Sequence, residues 1–209
     1  MRGFRTDRCR EGGPALSERD ELIRLLREDG YLELEGPVQL ASGDWSRHFI
    51  DVKRALATGR AISLATGCLL DLVDGHGVTF DSVGGLTMGA DVLAHGVAIA
   101  RPDVRWFSVR KQAKDRGTAR RIEGAELGAS SRVLLVDDVV TRGGSILDAL
   151  QAIRATGAVV AAAVTVVDRG EFGAPAFEAE GVPYFPLTTY RDLGLPAVGT
   201  EGGVTSATA

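Results

Sequence analysis

The sequence predicts an α/β protein with a mostly parallel central sheet, helices on both faces, and a small β-rich hood lobe near the N-terminus. Three observations predict it. After Asp51, strand-like and helix-like patterns alternate along the chain. Val133–Val136 and Val159–Val167 are continuous apolar runs, as expected of strands buried on both faces. Between Tyr31 and Val52, short strand-like pieces are broken by turn residues such as Gly36-Pro37 and Ser42-Gly43-Asp44.

Residues 1–15 read as a flexible leader and residues 16–196 as one domain, with the hood at about 31–53. Ser17 opens a helix as a capping residue three positions before Asp20, Leu22, Ile23, Leu25 and Leu26 give it an apolar face, and Gly30 ends it. A second helix is expected over 60–74, stopped by Gly75. A strand at 78–83, a glycine turn at 84–89 and a helix to about Ala100 follow. Trp106–Val109 reads as a strand and 110–124 as a charged segment without hydrophobic periodicity. Ile146, Leu150 and Ile153 put one apolar stripe on a helix that Gly157 closes, and 173–180 reads as a short helix. Residues 197–209 read as a flexible tail.

Composition narrows the function classes. The chain has 209 residues, 44% hydrophobic and 25% charged, a globular profile large enough for a real core. No apolar run reaches the roughly 18 residues that span a bilayer, and the basic N-terminus lacks the apolar stretch of a secretory signal. Two cysteines, Cys9 and Cys68, suggest neither a disulfide framework nor a metal site, so a cytoplasmic setting is expected. The net charge of −4 argues against a nucleic-acid partner. Yet six basic residues and one acid, Asp115, lie between Arg110 and Arg121, a local patch suited to a small anionic ligand.

The strongest motif is VLLVDDVVTRGGS, Val133–Ser145. Ligands of parallel sheets bind beyond the carboxyl ends of the strands, and this strand delivers Asp137 and Asp138 there. Thr141, Gly143, Gly144 and Ser145 follow just before a helix, where amides, hydroxyls and the helix N-terminus can hold a phosphate. A nucleotide P-loop needs a lysine that is absent, and the GxGxxG of a dinucleotide fold is also missing. Paired carboxylates beside a phosphate cradle suit the hydroxyls of a ribose 5-phosphate, bound directly or through Mg²⁺.

This stretch resembles the phosphoribosyl-pyrophosphate motif of type I phosphoribosyltransferases. The segment FSVRKQAKDRGTARRIEG, Phe107–Gly124, is similar to the mobile loop of the orotate phosphoribosyltransferases. LASG at 40–43, HFID at 48–51, VGGLTMGAD at 83–91 and VVDRG at 166–170 extend the resemblance from about residue 17 to 195. The resemblance implies the type I phosphoribosyltransferase fold and a homodimer that shares the 110–121 loop between subunits. It also implies Mg²⁺-dependent transfer of phosphoribose from phosphoribosyl pyrophosphate to orotate. A phosphoribosyltransferase of another base, or a non-catalytic regulator that binds phosphoribosyl pyrophosphate, are the alternatives.

By that resemblance, Lys114, Arg116, Asp137 and Asp138 are the catalytic candidates. Arg110, Lys111, Lys114, Arg116, Asp137, Asp138, Val139, Val140, Thr141, Arg142, Gly143, Gly144 and Ser145 are expected to bind phosphoribosyl pyrophosphate. Arg169, Thr141, Phe49 and Ile50 are expected at the base, Arg169 because a guanidinium suits a carboxylate; core positions in the hood are the competing reading of Phe49 and Ile50. Mg²⁺ would be held through the substrate, with Asp137 or Asp138 as its protein contact. His76 and His95 read as structural, Cys68 as core, and Trp45 and Trp106 as packing residues. The chain departs from the family at Ala41 and Met88, where many members have lysine, and at Arg116, where the loop has histidine. Arginine keeps the charge but cannot exchange protons near neutral pH. Arg47, His48 and Lys53 are the nearby candidates to compensate.

Overall fold

The computed structural model describes residues 16–39, 45–112, 121–170 and 173–196. The leader, the tail and Ala41 therefore lie outside the described residues.

Ser17 caps α1 (Glu18–Leu25), its hydroxyl oxygen accepting from the Asp20 amide at 3.1 Å. One π-helical turn, Leu26–Gly30, continues it. The hood is an antiparallel pair, β1 (Tyr31–Gln39) and β2 (Trp45–Ile50), with Leu32 opposite Phe49. Its register shifts between Glu33 and Val38, the span that holds Gly36-Pro37. Proline has no amide hydrogen to pair there. The Arg47 side chain donates instead to the carbonyls of Leu34 and Glu35, at 3.4 and 2.6 Å. A short helix, α2 (Val52–Ala55), leads from the hood to α3 (Gly59–Gly75).

The main sheet contains β3 (Ser82–Leu86), β4 (Arg105–Val109), β5 (Ile122–Gly124), β6 (Arg132–Val140), β7 (Val159–Asp168) and β8 (Tyr184–Thr189). Its order is β5-β4-β3-β6-β7-β8, parallel except for β5 at one edge. The helices α4 (Asp91–Ala100), α5 (Gly144–Arg154) and α6 (Gly173–Ala179) complete the chain order. Alternate side chains of β6 serve two cores. Leu134 and Val136 pack with Leu69, Leu93 and Val97 of α3 and α4. Val133 and Leu135 pack with Ile146, Leu150 and Ile153 of α5, the stripe expected from sequence.

The expected strand at 78–83 is corrected to Ser82–Leu86. Gly84 and Gly85 belong to the strand because its neighbours crowd it. A Cβ at Gly84 would lie 2.1 Å from the Phe107 carbonyl oxygen, and one at Gly85 2.0 Å from that of Val136. The expectation for Trp45 is also corrected: it is 60% exposed at the start of β2. Trp106, 40% exposed, meets the His95 ring edge-on. Cys68 lies in the core, and a ring nitrogen of His76 bonds the Leu72 carbonyl. No helix among the described residues is long and apolar enough to cross a membrane.

Candidate active site

β6 runs beyond the apolar VLLV into Asp137–Val140, where Val139 and Val140 still pair with Val167 and Asp168 of β7. The chain then turns through Thr141 and Arg142. Gly143 has φ +81°, a left-handed conformation that suits glycine, and α5 starts at the next residue. Among the described residues no side chain caps α5, so its first amides stay available to a ligand. Asp137, Val139, Val140, Thr141, Arg142, Gly143, Gly144 and Ser145 line a cavity of about 340 Å³ at this point. Thr141 is half-buried, Ser145 is exposed, and the Val140 side chain is buried against α5. The cradle read from sequence is therefore assembled in space.

Both members of the acidic pair are buried, and Asp137 lines that cavity. Asp137 Oδ1 accepts the Asp138 amide and Asp138 Oδ1 accepts the Val139 amide, both at 2.9 Å. Burial, then the charge of Asp138, push the Asp137 carboxyl well above the usual carboxylate range. Lys53 reaches in from α2, its Nζ 2.7 Å from Asp138 Oδ2. Burial works against the ammonium, but the hydrogen bond and charge of Asp138, with Asp51 and Asp137, outweigh it and raise the Lys53 pKa. The turn at Gly89 closes the opposite side: a Cβ there would lie 2.4 Å from Asp138 Oδ1. That turn is fixed by Asp91, which accepts from the hydroxyls of Thr87 and Ser108 at 2.6 Å each.

The basic segment leaves the sheet between β4 and β5. Its ends are joined by the Arg110 amide, which donates to the Arg121 carbonyl at 2.7 Å. Arg110 Nη1 lies 3.9 Å from Glu123, and Lys111 is exposed. Lys114 and Arg116 lie outside the described residues. Arg121 also bonds Asp148 on α5, which ties the base of this segment to the cradle helix.

Arg169 follows β7 and is 4% exposed. Its Nη2 donates to the His48 carbonyl of the hood at 2.8 Å, and Nε is buried with no hydrogen-bond partner. The guanidinium lies over the Phe49 ring at 5.8 Å and the Tyr190 ring at 5.1 Å. The imidazole of His48 bonds the Tyr31 hydroxyl. A cavity of about 510 Å³ opens beside Arg169, with Tyr184, Thr189 and Tyr190 among its walls. Phe49 is half-buried next to Arg169 and packs against the main core, and Ile50 is buried within that core rather than in a core of the hood. Sequence reasoning gave no role to Asp91, Ser108, Asp148 or Tyr190. For Asp91 the GGLTMGAD motif itself was a signal, since it carries Thr87 and Asp91 one helical turn apart.

Residues 72–175 match the phosphoribosyl transferase domain family, which sets the class for a sheet with this cradle. The orotate phosphoribosyltransferase of Mycobacterium avium is 40% identical over 184 residues, covering 87% of this chain and 98% of that protein. That of Pyrococcus furiosus is 36% identical, over 84% of this chain and 94% of the relative. Among solved structures, Mycobacterium tuberculosis orotate phosphoribosyltransferase in complex with 5-phospho-α-D-ribosyl 1-diphosphate matches with a TM-score of 0.71 and 36% identity. It covers 86% of this chain and 100% of that one. The chain belongs to the orotate phosphoribosyltransferase family.

Proposed function

We propose that this protein transfers the 5-phosphoribosyl group of phosphoribosyl pyrophosphate to orotate, giving orotidine 5′-monophosphate and pyrophosphate. The observation that carries this reading is the continuity of β6, the buried Asp137-Asp138 pair and the uncapped N-terminus of α5. A 5-phosphate takes the amides and hydroxyls of 141–145 while the carboxylates accept the ribose hydroxyls. The pyrimidine ring then lies toward the hood, where Arg169 meets the orotate carboxylate and Phe49 packs against the ring. The buried Nε of Arg169, which has no partner among the described residues, offers a donor for that carboxylate while Nη2 stays on the His48 carbonyl.

In the reaction the C1–O bond to pyrophosphate breaks, a bond from C1 to the base nitrogen forms, and the proton of that nitrogen is lost to the leaving pyrophosphate or to water. Negative charge grows on the leaving group, so cations aimed at it stabilise the transition state more than the ground state. Arg110, Lys111, Lys114 and Arg116 supply that charge and, as a loop closed over the substrate, keep water from the activated sugar. The donor set also fits Mg²⁺. Among the described residues no cluster of three or more ligating side chains forms a cage. A carboxylate pair beside a diphosphate is the usual Mg²⁺ arrangement, with most ligands coming from substrate and water. Asp137 or Asp138 would hold the ion there, where it supplies further charge neutralisation to the diphosphate.

The reading includes a homodimer in which the 110–121 loop serves the neighbouring subunit's site, and a cytoplasmic location. It is tested by a panel of pyrimidine and purine bases assayed for pyrophosphate release with and without Mg²⁺. Release with orotate, and loss of release without Mg²⁺, is expected. Turnover with another base alone moves the protein to a different specificity, and binding without release makes it a sensor.

A further inference from the structure

Lys53 lies at the seam between the hood and the acidic pair. The short helix that carries it is held at its N-terminal end. Asp51 caps it by accepting the Arg54 amide at 3.1 Å, and the Asp51 amide donates to the Gly30 carbonyl at 2.9 Å. Val52 and Ala55 are buried in the main core, which leaves Lys53 on the open side of the helix. From there the side chain, 50% exposed, places Nζ 2.7 Å from Asp138 Oδ2, on a carboxylate whose side chain is only 12% exposed. The other oxygen of that carboxylate accepts the Val139 amide and faces the Gly89 turn. The two oxygens of Asp138 are thus held by two different elements, which fixes the plane of the group. Each oxygen keeps a second lone pair for an incoming hydroxyl.

We infer that Lys53 is a positioning residue for phosphoribosyl pyrophosphate: its ammonium fixes Asp138 and offsets the negative charge of the acidic pair, so that a polyanionic sugar phosphate can bind beside it. The inference rests on the reading of the site given above. An unpaired Asp138 carboxylate repels such a substrate, and in a partly buried site that repulsion is poorly screened. The ammonium comes from the hood side of the cleft, while Met88, next to Gly89 on the opposite side, is 71% exposed and carries no charge. Lys53 therefore supplies positive charge at the acidic pair from a different element.

The test uses the full chain and the substrate itself. Binding of phosphoribosyl pyrophosphate is measured by calorimetry without base, for wild type, Lys53→Met, Lys53→Gln and Lys53→Arg. The methionine and glutamine variants should bind about tenfold more weakly, and the arginine variant should recover most of the affinity. In steady state the KM for phosphoribosyl pyrophosphate rises, while kcat and the KM for orotate stay within about threefold. In an Asp138→Asn background the Lys53→Met loss should largely vanish, because no charged carboxylate remains to be positioned. Wild-type affinity in both neutral variants overturns the role of Lys53. So does an equal loss with and without Asp138, or a fall of kcat with both KM values raised alike alongside a lower melting temperature. Absence of substrate binding by the wild-type chain overturns the proposed function instead.

Discussion

Arg121 holds Asp148 in a two-pronged ion pair, Nη2–Oδ2 at 2.5 Å and Nη1–Oδ1 at 3.2 Å. Arg121 closes the base of the basic segment against Arg110, and Asp148 lies in the early turns of the helix that begins at the phosphate cradle. One contact therefore ties the base of the basic segment, at Arg110 and Arg121, to the helix that begins at the glycine turn. Because the pair is substantially exposed, Arg121→Ala should cost no more than about 1 kcal/mol of stability. It should nonetheless lower kcat about fivefold, through misplacement of the loop. Thermal melts and steady-state rates of the same preparation separate the two effects.

Gly89→Ala should abolish turnover. The added methyl would stand 2.4 Å from Asp138 Oδ1 and 2.8 Å from Asp137 Oδ1, and both carboxylates are buried. Either the turn retreats or the acidic pair rotates, and both displace the groups expected to accept the ribose hydroxyls. A fall in kcat/KM of about a hundredfold or more is expected, with a melting temperature near that of wild type. Wild-type turnover in this variant would show that the pair is not part of the site.

Arg169→Lys should damage base recognition and hood docking together. The guanidinium contacts the His48 carbonyl and faces both Phe49 and Tyr190, and an ammonium cannot reproduce that fork and stacked plane. The KM for orotate should rise about tenfold or more, while the affinity for phosphoribosyl pyrophosphate changes little. Equal loss for both substrates would place Arg169 in a purely structural role.

Acid should destabilise the fold through Asp192 among others. Burial acts to raise that carboxyl, but the Thr189 amide and hydroxyl and Arg19 outweigh it and hold its pKa below the ordinary value. A group depressed on folding contributes stability above its unfolded pKa, about 3.9, and loses it as the pH falls through the folded value. Asp81 and Asp148 are shifted in the same direction, Asp148 chiefly by Arg121. Urea unfolding followed from neutral pH to about pH 3 should show a falling midpoint, with a smaller fall in Asp192→Asn.

Much of this architecture follows from local pattern. The α5 stripe, the Ser17 cap and the VLLV strand are set by periodicity and short-range chemistry, and each forms where the residues imply. Strand β8 escaped because Pro186 breaks the strand signal, which an edge position tolerates, as among the described residues β8 pairs only with β7. Gly84-Gly85 looked like a turn because a glycine kept for close approach of neighbouring strands has the same letter as one kept for bending. The cradle was legible because all of its parts lie within one short segment. The Lys53–Asp138 contact joins positions 85 residues apart, and no spacing rule connects them. The Arg169–His48 contact is equally remote in sequence; Arg169 and Phe49 were expected at the base from the resemblance, but their packing with His48 and Tyr190 emerged only with the fold.

The measurement that bears most directly on the central claim is the formation of orotidine 5′-monophosphate from orotate, phosphoribosyl pyrophosphate and Mg²⁺, followed chromatographically. The account predicts product and pyrophosphate in equal amounts with wild type, and neither when orotate is left out. Tight binding of phosphoribosyl pyrophosphate with no nucleotide formed from orotate would contradict it.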